Sequence, residues 1–407
     1  MARYHDYVLN NGLRIIHEPS PTDIVYCGLF VDAGTRNEEK NDSGLAHFCE
    51  HMSFKGTNKH TAAYIRNRLE SVGGDLNAYT NKEETVYYVC IQKEHFDRAV
   101  RLLFEIVFDS IYPQKEIEKE TEVIIDEIDC YNDSPAELIY DEFEEMLFRN
   151  HELGRNILGK SECLRSYHTE DAFRFTRRYY VPSNVTFFIY GNVVFEHAIQ
   201  LACKLCEDIP LCETKKKKSQ LSAYVPEERV CHHHTHQAHV LIGNRAYSNS
   251  DERRFQLSLL NNILGGPGMN SLLNIELREK YGLVYTTESN VYYYSDTGLW
   301  SVYFGCDEKD IKACKKIILK ILRHLSETPL SERSLSRAKK QMVGQMYIAE
   351  DNFESHALAL GKTYARFRHF REITEVRDAI NAITSKELQT VAQDLFQEDK
   401  LSMLTYL

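Results

Sequence analysis

Asp42-Ser43-Gly44-Leu45-Ala46-His47-Phe48-Cys49-Glu50-His51-Met52 is the stretch from which the rest of the chain can be read. Asp42 and Ser43 offer an N-cap, Leu45, Phe48 and Met52 mark an apolar stripe, and Gly56 supplies a stop. The pattern therefore predicts one short helix. On that helix His47 and His51 stand at i and i+4, one turn apart on one face, where both imidazoles can reach a single ion. Glu50 sits beside that face and can accept a hydrogen bond from a water at the ion without itself being a ligand. Cys49, two residues after His47, points to the far side of the helix and is not a ligand.

Two histidines and a carboxylate also occur on ordinary solvated helices, so the next helical pattern carries weight. Glu120-Thr-Glu-Val-Ile-Ile-Asp-Glu127 follows Pro113, a residue suited to a helix start. Glu120 and Glu127 are seven residues apart and share one face, with Val123 and Ile124 close by. One of these carboxylates can complete a His-His-Glu zinc triad while the other orients a ligand. Glu116, Glu118, Glu122, Asp126 and Asp129 read as an ordinary acidic surface.

The His-x-x-Glu-His order is the inverse of His-Glu-x-x-His and is that of the inverzincins. The run Gly44-Leu-Ala-His-Phe-Cys-Glu-His-Met-Ser-Phe-Lys-Gly-Thr57 resembles the signature of the pitrilysin/insulinase-type zinc peptidases, in the branch of bacterial processing-peptidase relatives. Three further stretches extend the likeness: Gly73-Gly74-Asp-Leu-Asn77-Ala78-Tyr79-Thr80, Leu277-Arg278-Glu-Lys-Tyr-Gly282-Leu-Val-Tyr285, and Asp296-Thr-Gly-Leu. Asn270-Ser-Leu-Leu departs from the Ser-Ser-Arg-Leu type of run found in relatives. The resemblance implies a zinc metalloendopeptidase with one zinc per chain, held by His47, His51 and Glu127. Glu120 would support a ligand, and Glu50 would serve as the base.

Arg278 and Tyr285 are candidates to stabilise a developing oxyanion; seven residues apart, they share a side if their segment is helical. Gly73-Gly74 before Asn77-Ala78 suggests a turn into an edge strand, which can accept an extended peptide by main-chain hydrogen bonds. The resemblance places substrate against Asn77 and Ala78, with short or unfolded peptides favoured by a closed chamber.

Composition bounds the alternatives. A chain of 407 residues is comfortable for two domains, and 43% hydrophobic with 27% charged residues is the balance of a soluble globule. A net charge of −11 argues against a nucleic-acid or anionic-membrane binder. Without an apolar leader or a span of transmembrane length, the chain as given is expected in the cytoplasm. Eleven cysteines, an odd number, fit reduced thiols.

The halves share an order of elements. Leu13–Glu18 with Tyr26–Asp32, and Arg229–His234 with Ala238–Gly243, open them as strand pairs. Helix Thr169–Tyr180 leads to strand 185–190 in the first half, and helix Ser385–Phe396 to strand 401–407 in the second. This predicts an α+β fold of two related domains, each a mostly antiparallel sheet with helices packed on one face. The domains run 1–212 and 222–407, joined by a Lys-rich linker at 213–221. By resemblance they form half of a clamshell.

Two stretches compete for attention. His232, His234 and His236 in Cys231-His-His-His-Thr-His236 would share one face of a strand, but no carboxylate accompanies them and an incidental role is expected. Gly265-Gly-Pro-Gly268 lacks the Gly-Lys-Ser/Thr of a phosphate loop and reads as a connection between helices.

The rival class is a non-catalytic partner subunit. Such relatives lose zinc or base residues, which this chain keeps. In heterodimeric relatives the zinc motif and the Arg/Tyr pair lie on separate polypeptides. Their presence on one chain favours a homodimer in which each copy completes the other's site, with a heterodimer with a related chain as the alternative.

Overall fold

The computed structural model describes residues 3–212, 214, 219–233 and 235–407; Lys215–Lys218 of the expected linker and His234 lie outside the described residues. The first half runs β1 (His5–Val8), β2 (Arg14–Pro19), β3 (Ile24–Val31), α1 (Leu45–Ser53), α2 (Ala62–Glu70), β4 (Asp75–Thr80) and β5 (Thr85–Gln92). It continues through α3 (Phe96–Phe108), α4 (Gln114–Asn132), α5 (Pro135–Leu147), α6 (Ser161–Leu164), α7 (Thr169–Tyr179), β6 (Val185–Gly191) and α8 (Phe195–Cys206). The second half runs β7 (Glu228–Cys231), β8 (Ala238–Ala246), α9 (Arg254–Gly265), a π-helical segment (Asn274–Lys280), β9 (Val284–Tyr293) and β10 (Gly298–Cys306). It closes with α10 (Ile311–Glu327), α11 (Glu332–Glu350), α12 (Phe353–Phe367), α13 (Ile373–Ala382), α14 (Ser385–Leu395) and β11 (Ser402–Tyr406).

The strands form two sheets, ordered β1-β2-β6-β3-β5-β4 and β7-β11-β8-β10-β9. Apart from the added hairpin strand β1, the orders match position by position. In each sheet the strand closing its half lies between the two that open it, parallel to the first and antiparallel to the second. The duplication expected from the sequence is thus a duplication of topology.

Two compact units contain these sheets, and they are not contiguous in sequence. The first comprises 1–129, 155–219 and 349–372; the second comprises 130–154, 220–348 and 373–407. The segment carrying α5 therefore packs in the unit of the second sheet, and the segment carrying α12 in the unit of the first.

Helices cover one face of each sheet, as patterning requires. In the first unit Phe48, Leu103, Ile124 and Phe175 meet Leu29, Val89 and Phe187. In the second, Leu260, Ile318 and Leu388 meet Val240, Trp300 and Phe304. The exchanged helices close the opposite faces. Leu360 and Tyr364 of α12 lie on Ile16, Phe30 and Phe188. Ile139 and Phe143 of α5 lie on Leu241, Tyr303 and Leu404. Covered on both sides, strand β6 is buried throughout and reads Val-Thr-Phe-Phe-Ile-Tyr-Gly without polar alternation. Gly361 lets α12 approach closely, since a Cβ there would stand 2.5 Å from the Phe188 ring.

Candidate metal centre

Helix α1 spans Leu45–Ser53, close to expectation, but its cap is different. No side chain caps it from Gly44, which sits at φ +86 with Leu158 O 2.6 Å from where a Cβ would be. The first-turn amides are held instead by buried Glu38, whose Oε2 accepts from Gly44 N–H (3.1 Å) and Oε1 from Ala46 N–H (2.9 Å). Asp42 contributes a backbone carbonyl to Leu45 N–H (3.1 Å) and no side-chain cap. A carboxyl group at a helix N-terminus satisfies orphan donors; burial raises Glu38 to about 8 against the lowering effect of these two hydrogen bonds. Glu38 lies outside the helical repeat, so periodicity gave no sign of it.

One face of α1 carries the donors. The His47 and His51 rings lie 4.5 Å apart between centroids, roughly edge to face. Glu127 on α4 brings Oε2 to 4.0 Å from His47 Nε2 and 3.6 Å from His51 Nε2. These three residues present donor atoms that all lie within 4.8 Å of one another. Two imidazole nitrogens and one carboxylate oxygen, converging from two helices, are a donor set that could hold a transition-metal ion such as zinc. Cys49 is buried on the other side of α1, toward Ala172 O of α7.

The surrounding groups tune these donors. Burial, with His51 alongside, pushes His47 down to about 3, which leaves its imidazole neutral. Burial would also lower His51, but the Glu120 hydrogen bond and the charges of Glu50, Glu120 and Glu127 outweigh it and raise that histidine. Glu120 Oε1 holds His51 Nδ1 at 2.9 Å, fixing the ring and leaving Nε2 toward Glu127. Lys55 Nζ holds the other Glu120 oxygen at 2.5 Å. Glu120 thus orients, and Glu127 faces the donors. The cluster has an excess of carboxylate over fixed cation, which favours a bound cation.

Glu50 is buried beside the donors, and burial raises its carboxyl from the ordinary range. Thr80 Oγ1 donates to Glu50 Oε2 at 2.6 Å. Thr80 ends β4, in a stretch singled out for substrate but not for contact with Glu50. β4 is the last strand of its sheet and pairs with β5 alone, with Asn77 opposite Tyr88 and Ala78 opposite Tyr87. Asn77 is exposed and Ala78 half-buried. The expected edge strand therefore ends at the Glu50 carboxylate.

Arg278 and Tyr285 belong to the second unit and lie on different elements, so the condition of a shared helix is not met. The π-helical segment stops at Lys280, Gly282 turns the chain at φ +63, and Tyr285 is already in β9. Arg278 is exposed, and among the described residues its guanidinium has no hydrogen-bond or ion-pair partner. The exposed Tyr285 hydroxyl donates to Asp307 Oδ1 at 2.9 Å.

Similarity to known proteins bears on the family and the fold. Residues 14–161 match the insulinase family, peptidase family M16, and residues 168–342 match the M16 inactive domain. The chain is 30% identical over 400 residues to the uncharacterized zinc protease YmxG of Bacillus subtilis, covering 97% of this chain and 96% of the relative. An uncharacterized zinc protease of Rickettsia felis is 30% identical over 391 residues, 95% and 94% of the two chains. In fold, a protease from Helicobacter pylori superposes with a TM-score of 0.93 at 20% identity, over the whole of both chains. An M16-like peptidase from Alicyclobacillus acidocaldarius gives 0.85 at 21%, over 99% and 98%. The chain belongs to the insulinase (M16) family of peptidases. The stretch that matches the inactive domain, 168–342, contains none of the His47–His51–Glu127 donors, which all lie within 14–161.

All eleven cysteines are free thiols. Among the described residues, no helix is long and apolar enough to cross a membrane.

Proposed function

We propose that this chain is a zinc-dependent endopeptidase acting on short or unfolded peptides. The observation that carries the reading is the convergence of His47, His51 and Glu127 with Glu50 buried beside them and held by Thr80. One zinc per chain would be held by those three donors, in line with the zinc proteases among its relatives. When bound, the ion supplies Lewis acidity, polarising oxygen and making water easier to deprotonate.

The rest is done by side chains. Thr80 occupies Glu50 Oε2, which leaves Oε1 to take a proton from the attacking water and to pass it to the leaving amine. A raised carboxyl suits both steps. Glu120 keeps His51 in one tautomer and one orientation throughout. Substrate adds as a strand to β4 beside Asn77 and Ala78, and main-chain pairing makes binding tolerant of sequence. Arg278 and Tyr285 stabilise the oxyanion in a homodimer where each copy serves the other's metal centre, enclosing a chamber that admits unfolded segments. Support for that arrangement lies in the two catalytic parts occupying separate compact units of one chain. The same reading places the protein in the cytoplasm.

Peptide-library cleavage with metal analysis tests the enzyme, and mixed variants test the dimer. Glu50→Gln mixed with Tyr285→Phe should recover activity that neither has alone, because one hybrid site is intact. Demonstrated subunit exchange without recovery refutes the shared site; failure of the unmodified chain to cleave any peptide refutes the peptidase.

A further inference from the structure

The cysteine-histidine run does not fold as its alternation suggests. β7 ends at Cys231 because its one partner, β11, has its last paired residue at Tyr406. Backbone pairing extends only slightly further: Leu407 N–H donates to Cys231 O (2.9 Å) and His233 N–H to Leu407 O (2.7 Å). No strand reaches His236, and the donors gathered belong to the opposite phase from His232 and His236. Cys231 and His233 stand two apart on this extended backbone, so their side chains share a side. Helix α5, packed on β8 and β11, adds the carboxylate of Glu142.

These three residues offer a thiol, an imidazole and a carboxylate whose donor atoms lie within 4.8 Å of one another. Glu142 and Cys231 are half-buried, and His233 is exposed. Among the described residues Glu142 has no ion-pair partner, so its charge there is not offset by a lysine or arginine contact. Tyr406, fully buried opposite Cys231, sets its ring 4.2 Å from that of His233, the two planes tilted by 40°. The Tyr406 phenol is itself raised by burial and then by the Glu142 carboxylate, which puts the two groups in one neighbourhood.

We propose that Glu142, Cys231 and His233 form a second metal site, distinct from the His47–His51–Glu127 centre, that clips α5 to the edge strand β7. Mixed sulfur, nitrogen and oxygen donors select a divalent transition ion of the zinc and cobalt class over magnesium or calcium. Binding takes Cys231 as thiolate and releases its proton to solvent. The clip joins α5, supplied by the first half of the sequence, to a strand of the second half. A metal that binds only the folded form raises its stability.

Cobalt titration of the full-length chain, stripped with chelator and kept reduced, tests this. Only a site containing sulfur gives a thiolate-to-cobalt charge-transfer band in the near ultraviolet, so the His47–His51–Glu127 centre is silent there. The band should saturate by two equivalents in the unmodified chain, because the His47–His51–Glu127 centre takes cobalt without contributing to it, by one equivalent in His51→Ala, and disappear in Cys231→Ser. His233→Ala and Glu142→Gln should each weaken cobalt binding by at least ~10-fold, the smallest usual cost of disturbing even a supporting group at a metal. His51→Ala and His236→Ala should leave the band intact, and cobalt should raise the melting temperature of the unmodified chain more than that of Cys231→Ser. The proposal is overturned if no band forms, or if the band survives Cys231→Ser, as it would if carried by the neighbouring Cys306 and Cys314. Indifference of binding to both His233→Ala and Glu142→Gln overturns it equally.

Discussion

In the first unit, the crossover from β3 to β4 carries α1 with His47, Glu50 and His51; in the second, the matching crossover from β8 to β9 carries α9, Arg254–Gly265, which has neither histidine nor acid. The next pair diverges in the same way. α4 brings Glu120 and Glu127 to the donors, whereas α11, also 19 residues long, has acids only at its ends, Glu332 and Glu350. Strand order and helix slots are common to both units, so they cannot be the source of the chemistry. The lesson is that the fold supplies two equivalent frames and a few side chains equip one of them.

The sharpest way to break this comparison is to disarm the equipped frame. His51→Ala or Glu127→Ala should abolish metal binding at α1 and reduce peptide hydrolysis to background, while Lys340→Ala on exposed α11 should change neither. Metal content by emission spectrometry alongside peptide cleavage decides it; hydrolysis surviving His51→Ala would place the reaction elsewhere.

Glu50→Gln separates chemistry from binding. It should keep the metal and lose ~10²–10⁴-fold in hydrolysis, the usual contribution of a general base. Loss of the metal instead would make Glu50 a ligand.

The exchanged helices should behave alike, since each closes the second face of a sheet. Leu360→Ala in α12 and Ile139→Ala in α5 remove fully buried side chains, and each should cost about 2–5 kcal/mol in denaturant unfolding. A neutral result at either site would show that its helix is an accessory to the sheet it covers.

The smallest effect is electrostatic and confined to the first unit. Burial alone would raise Glu84, but Arg366 and Lys362 of α12 overcome it and hold the carboxyl below its ordinary 4.5. A depressed folded pKa means that the unfolded chain binds the proton more readily. The contribution is therefore complete above about 4.5, and is lost as pH falls through the depressed value. Glu84→Gln should flatten the acid side of the stability–pH curve; an unchanged slope would show that the pair carries no net linkage.

Much of the equipped frame was legible in the sequence because helical geometry is local. The i and i+4 spacing of His47 and His51, and the seven residues between Glu120 and Glu127, fix which groups share a face whatever the tertiary setting. Strands β2, β3, β6, β8 and β11 announced themselves as apolar runs, and their repeated order announced the duplication. Local reasoning failed where the backbone changed state. Arg278 and Tyr285 would share a side only if their segment were helical throughout, and Gly282 turns the chain into β9 between them.

The sequence by itself therefore determined the donor helix, the carboxylate beside it, the pair of related sheets and the family. Tertiary structure alone decided that Glu38 caps α1, that Thr80 of the edge strand holds Glu50, that α5 and α12 cross to the other half's sheet, and that Glu142 meets Cys231 and His233. The physical reason is the range of the interactions. Periodicity reports only neighbours within a turn or a strand, while caps, clamps and covering helices are chosen by which distant surface leaves the least apolar area and the fewest polar groups unsatisfied.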